Sequence, residues 1–133
     1  MTYRMTGRMA GRMTGDRITL TGITGFGHHG ALAAERELGQ VFVADVTLYL
    51  DLVPAGVGDD LSRTVDYGQL TQRIHEAIVL EPVNLIETLA ERIATICLGE
   101  HLVDRVTVTV HKPQAPIPVT LSDVAVTIER SRA

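Results

Sequence analysis

The chain has 133 residues, 45% of them hydrophobic and 21% charged, which suits one globular domain around a single core. It lacks tryptophan, and aromatic residues make up only 4%, too few for a platform that stacks single-stranded bases. Net charge is −4, and three of the 12 basic residues are arginines within the first 14 positions, so the remainder sets 9 basic against 16 acidic residues and offers no electrostatic footprint for a phosphate backbone.

Residues 1–15 are of low complexity. Met1, Met5, Met9 and Met13 recur every four residues, as do Arg4, Arg8 and Arg12, with Gly7, Gly11 and Gly15 between them. The spacing would stripe a helix, but a glycine in each turn costs about 1 kcal/mol. A disordered tail is therefore expected, with residues 16–133 forming the domain. Arg17 to Ile23 alternates, Ile18 and Leu20 sharing a face, and predicts a first strand. A Gly- and His-rich loop is expected from Thr24 to Gln40. Val41 to Leu52 alternates for longer, with Phe42, Ala44, Val46, Leu48, Leu50 and Leu52 on one side. After a loop from Val53 to Thr64, the spacing of Leu70, Ile74, Ala77 and Ile78 predicts a helix that Pro82 breaks. Leu85, Leu89, Ile93 and Ile96 stripe a second helix, which Gly99 ends. Val106, Val108 and Val110 alternate with Thr107, Thr109 and His111 in a third strand; a proline-rich loop from Lys112 to Ser122 leads to a last strand marked by Val124, Val126 and Ile128. The order ββααββ predicts an α+β domain, a four-stranded antiparallel sheet with two helices on one face. Such a small sheet has two edges to cover, and pairing with further subunits is one way to do so.

Cys97 stands alone and cannot form an internal disulfide, as suits a reducing cytosol. No apolar run approaches the roughly 20 residues of a membrane span, and no apolar h-region follows the N-terminal arginines. Gly25-Phe26-Gly27-His28-His29-Gly30 spells G-x-G-x-x-G after a strand, with Asp51 further on. A dinucleotide site would need a βαβ unit, and the helix-like stretch from Ala31 to Leu38 is too short for a parallel crossover. A tight loop is the better reading. Adjacent His28 and His29 point to opposite sides of an extended chain, and His75, His101 and His111 have no histidine at i, i+4, so a metal site is not expected. Ser62, Ser122 and Ser131 lack a G-x-S-x-G setting.

Lys112 is the one lysine among eleven arginines. Arginine keeps its proton in a protein, whereas a partly desolvated lysine can exchange one near neutral pH; a solvated surface lysine is the plain alternative. Glu87 follows Asn84 by three residues, the spacing of a capping box, and taken alone helix capping is its favoured role, with a carboxylate that accepts paired N–H donors of a heterocycle as the alternative. Glu35 beside Arg36 and Glu37 reads as a solvated charge. Tyr67, after Asp66 at a helix start, reads as a half-buried aromatic with a surface hydroxyl.

Taken together, four segments resemble dihydroneopterin aldolases: Gly30-Ala31-Leu32-Ala33-Ala34-Glu35 with Leu38-Gly39-Gln40; Thr64-Val65-Asp66-Tyr67-Gly68; Asn84-Leu85-Ile86-Glu87 with Leu89-Ala90-Glu91-Arg92; and Lys112-Pro113-Gln114-Ala115-Pro116-Ile117-Pro118. The resemblance spans residues 17 to 130. It implies the tunnelling fold, in which sheets of several subunits join into a barrel ring and two rings commonly stack into a homo-octamer. It implies retro-aldol cleavage of dihydroneopterin in folate biosynthesis, with no cofactor or metal because the pterin's own C=N bond serves as electron sink. By the same resemblance Lys112 is the general acid/base, acting through a water held with Glu35. Tyr67 from a neighbouring subunit assists proton transfer, Glu87 anchors the pterin's N–H groups, and backbone near Val65, Asp66 and Ile86 completes the pocket. The chain departs from the family pattern at His28, where many relatives carry another residue, and at Val119, where glycine is common. An epimerase acting on dihydroneopterin or its triphosphate shares the anchor and the deprotonation, though a triphosphate calls for more cations than Lys112 and Arg36. A non-catalytic pterin-binding ring protein is the alternative of another class.

Overall fold

The computed structural model describes residues 15–132; the expected tail, apart from Gly15, lies outside the described residues. The element order is β1 (Arg17–Gly27), α1 (Ala33–Leu38), β2 (Gln40–Tyr49), α2 (Val53–Gly58), a 3-10 turn (Leu61–Arg63), α3 (Tyr67–Val79), α4 (Ile86–Leu98), β3 (Arg105–His111) and β4 (Ala125–Ser131). The four strands lie side by side in chain order, each antiparallel to the next, so the expected α+β sheet is present. Both long helices fall in the β2–β3 connection and pack on one face, α3 over β1 and α4 over β3 and β4.

The core follows from strand alternation. Phe42, Ala44, Val46 and Leu48 of β2 and Val106, Val108 and Val110 of β3 are buried beneath the helices, and each large side chain so buried contributes about 1.5–3 kcal/mol. Leu70, Ile74, Ala77 and Ile78 of α3 meet them as the helical spacing predicts. Four local expectations are corrected. β1 runs on to Gly27 rather than ending at Ile23; its inward positions there are Gly25 and Gly27, which leave no apolar signal. A Cβ on Gly25 would lie 2.8 Å from Ile78 Cγ2 and one on Gly27 2.4 Å from the Ile78 carbonyl oxygen, so these glycines let α3 approach the strand rather than turning a loop. The long alternating stretch ends as a strand at Tyr49, and the expected 53–64 loop holds α2. Pro54 is tolerated in that helix's first turn, but its two glycines conceal it. In α4 the N-cap is Leu85, not Asn84, and Leu85 is exposed; the buried stripe is Ile86, Leu89, Ala90, Ile93, Ala94 and Cys97.

Candidate active site

The loop between β1 and α1 is tied down by His29, only 1% exposed. Its Nδ1 accepts the Val83 N–H at 3.1 Å and its Nε2 donates to the Ile78 carbonyl at 2.6 Å, a pairing that requires the neutral ring. Burial holds the His29 pKa below the ordinary histidine value, more than the Ile78 bond raises it. The Gly30 N–H also donates to the Val83 carbonyl, at 2.9 Å. Arg36 donates from Nε to the Gly30 carbonyl at 3.0 Å and from Nη2 to Asn84 Oδ1 at 2.6 Å. Loop, α1 and the α3–α4 connection are thereby held as one rim.

Glu35 occupies the first turn of α1 and points inward, its side chain 7% exposed. It accepts the Leu32 N–H at 3.3 Å, the Gln40 amide at 3.1 Å, and Lys112 Nζ at 2.6 Å. A Cβ on Gly30 would fall 2.4 Å from the Glu35 carboxyl carbon, so glycine is needed for this approach. Burial pushes the Glu35 carboxyl up, but the hydrogen bonds from Lys112, Leu32 and Gln40 outweigh it and hold its pKa below the usual value. Lys112 follows the last residue of β3, its N–H fixed on the Val124 carbonyl at 2.7 Å, its side chain 15% exposed. The pair is therefore nearly dry, and neither residue is the solvated charge that composition suggests.

A pocket of about 340 Å³ opens beside this pair, walled by Leu32, Ile86, Glu87, Pro116 and Ile117. Glu87 sits in the first turn of α4, whose N-cap makes no side-chain hydrogen bond. Its carboxylate is exposed to the pocket and has no hydrogen-bond or ion-pair partner among the described residues. The capping role is thus overturned: Glu87 caps nothing, and Asn84 instead receives Arg36.

The structure brings together Lys112, Glu35, Glu87 and Ile86. Val65, Asp66 and Tyr67 stand elsewhere, at the start of α3. Val65 is buried, the Asp66 carboxylate caps the helix by accepting the Gln69 N–H at 3.1 Å, and Tyr67 is 58% exposed. α3 has 13 residues and so spans about 20 Å. Its far end, at Ile78, is the one fastened to His29 and the pocket rim, so Tyr67 lies a helix length from its own chain's Lys112. His28 lies outside the pocket, with Nδ1 on the Arg36 carbonyl at 2.9 Å. Gln40 is a buried partner of Glu35 beyond the expected site residues; its signal was a polar residue in phase with Phe42 and Ala44 on the inward face of β2.

The dihydroneopterin aldolase (FolB) family model matches residues 18–129. The chain is 52% identical over 117 residues to the dihydroneopterin aldolase of Streptomyces coelicolor, covering 88% of this chain and 98% of that one. Among solved structures, the dihydroneopterin aldolase of Burkholderia thailendensis bound to guanine is 28% identical, with a TM-score of 0.72 over 89% of this chain and 92% of its own. The E. coli dihydroneopterin aldolase in complex with neopterin shares the fold at a TM-score of 0.79 and 22% identity, over 87% and 99% of the two chains. With the family model over most of its length and a half-identical relative, the chain belongs to the dihydroneopterin aldolase family.

Proposed function

We infer that the pocket binds 7,8-dihydroneopterin and that the Lys112–Glu35 pair carries its retro-aldol cleavage to 6-hydroxymethyl-7,8-dihydropterin and glycolaldehyde. The carrying observation is one pocket that holds a nearly dry lysine–carboxylate pair and, on its other wall, an unpartnered Glu87 carboxylate. The pterin's 2-amino group and adjacent ring N–H are parallel donors, and a carboxylate accepts such a pair strongly and with fixed orientation. The guanine held by the Burkholderia enzyme presents the same donor edge. Backbone N–H groups at the uncapped start of α4, near Ile86, are free for a ring acceptor.

With the ring so held, the side chain of the substrate is directed at Lys112. A proton leaves the 2′-hydroxyl for the Lys112–Glu35 pair through a bridging water. The C1′–C2′ bond breaks, its electron pair moves into the ring C=N, and C2′ and C3′ depart as glycolaldehyde. The proton returns at C1′ and restores the C=N in the hydroxymethyl product. The ring is its own electron sink, so neither metal nor Schiff base enters this scheme, and the enzyme is a carbon–carbon lyase. Arg36 is engaged by Gly30 and Asn84, which favours an uncharged side chain over a triphosphate.

Tyr67, with backbone at Val65 and Asp66, serves a neighbouring subunit's pocket. Its distance from its own pocket supports this, as do two sheet edges, β1 and β4, left unpaired among the described residues, whose pairing between subunits is head-to-tail and closes a ring. Two stacked rings give a homo-octamer. The test is purified protein incubated with dihydroneopterin and chelator, with both products assayed and Lys112→Ala run in parallel. Glycolaldehyde from the wild type and a loss of about 10²–10⁴-fold in the variant are expected, the usual share of acid–base catalysis. Pterin binding without glycolaldehyde would sink the aldolase reading and point to an epimerase or a binding protein.

A further inference from the structure

His111 closes β3 immediately before Lys112, and strand alternation sends its ring to the sheet face away from the helices. There it lies between two carboxylates. Nε2 is 2.7 Å from Asp45 Oδ2 on β2, and Nδ1 is 2.7 Å from Asp123 Oδ2, two residues before β4. Carboxylate oxygens accept only, so both ring nitrogens must donate, and the ring is an imidazolium. Hydrogen bonds to Asp123 and Asp45 raise the His111 pKa above the ordinary value, against a smaller opposing effect of burial. Asp45 Oδ1 in turn accepts the Gly22 N–H at 2.7 Å, at the bulge of β1. A hydrogen-bonded row thus crosses the sheet from β1 to the segment entering β4.

His111 and Asp123 bracket residues 112–122, and that segment carries both Lys112 and the pocket wall at Ala115, Pro116 and Ile117. Asp123 Oδ1 is buried without a hydrogen-bond partner, so the ring of His111 is what compensates this carboxylate. We propose that Asp45, His111 and Asp123 form a charged clasp that holds the 112–122 segment against the pocket, making His111 a positioning residue for Lys112, and that the clasp opens when the ring loses a proton. The proposal rests on Lys112 being the acid–base group. Among the described residues, the remaining neighbours of the ring add no titratable group: its register partners are Val43 and Ala125, β1 presents the Gly22 backbone, Thr109 on the same face is bonded to Thr127, and Lys112 reaches the opposite face.

The test is amide hydrogen exchange at Ala115 and Ile117, whose N–H groups are bonded within the segment, on the full chain without substrate. His111→Gln and Asp123→Asn are compared with the wild type, melting curves confirming that each folds; Asp123→Asn leaves the Asp45 contact in place and carries the test should His111→Gln fail to fold. Exchange about tenfold faster in the variants at pH 7 is expected from the loss of one charge-assisted bond. The wild type should reach the variant rate above the titration of His111, after correction for intrinsic base catalysis. kcat should fall about tenfold with KM within about threefold, because the Glu87 wall on α4 is untouched. Unchanged exchange in the folding variants, imidazole ¹⁵N shifts of a neutral His111 at pH 7, or faster exchange with wild-type kcat would each overturn the proposal. A Lys112→Ala enzyme that keeps turnover would sink the acid–base assignment instead, since the exchange arm uses no substrate.

Discussion

Glu87 and Glu35 are both carboxylates at the start of a helix, yet their surroundings separate their tasks. Glu35 is held by three donors and nearly dry, which suits the proton-transfer role proposed for its pair with Lys112. Glu87 has no partner among the described residues, which suits the ligand-anchoring role proposed for it. Glu87→Ala should therefore leave the melting temperature almost unchanged while raising KM about 10–100-fold, the worth of a lost charge-assisted contact; a large drop in melting temperature with unchanged KM would show a structural role. Glu35 and His29 also set the acid side of stability. Both have pKa values below their ordinary ones in the folded chain, so each binds protons more readily unfolded. The His29 contribution is full above about pH 6.5, the value of free histidine, and is lost as pH falls through its lower folded value. The Glu35 contribution is full above about pH 4.5 and is lost below it in the same way. Thermal melts from pH 8 downward should show a first loss beginning near pH 6.5 that disappears in a folded His29→Gln variant.

At the scale of elements, the helix starts differ in what secures them. α3 is capped by the Asp66 side chain, α4 by none. Asp66→Ala should destabilise the fold by about 1 kcal/mol, read as a shift in the denaturation midpoint, whereas Asn84→Ala, which caps no helix, should loosen only the Arg36 rim. The amphipathic stripes of α3 and β2 were legible because a helix or strand that buries one face repeats apolar residues at its own period. The last turn of β1 was not, since Gly25 and Gly27 face inward and only the closeness of α3 explains them. The capping role read for Glu87 failed for a related reason. Asn84 had the right spacing, but the Arg36 guanidinium, 48 residues away in the chain, engages its side chain.

For the whole molecule, Lys112 lies at one end of the helical layer and Tyr67 at the other, so the proposed site needs two chains. Lys112→Ala and Tyr67→Phe should each be inactive or nearly so. When the two are unfolded together and reassembled in equal amounts, about a quarter of sites should recover both residues, by random placement around a closed ring. No recovery above the separate variants would place Tyr67 outside the shared site. Size-exclusion chromatography with light scattering would report the ring itself. No described helix is long and apolar enough to cross a membrane.

The sequence by itself determined the sheet-and-helix architecture, the buried faces of β2, β3 and α3, and the family, because periodicity and short motifs are local. It also singled out Lys112 by residue type alone. Only the tertiary structure decided that Glu35 turns inward to meet Lys112, that Glu87 stays unpaired among the described residues, that His111 is bracketed by Asp45 and Asp123, and that Tyr67 is out of reach of its own chain's Lys112. Those facts depend on which side chains converge from distant positions, and burial and charge pairing take effect only once the fold has brought them together.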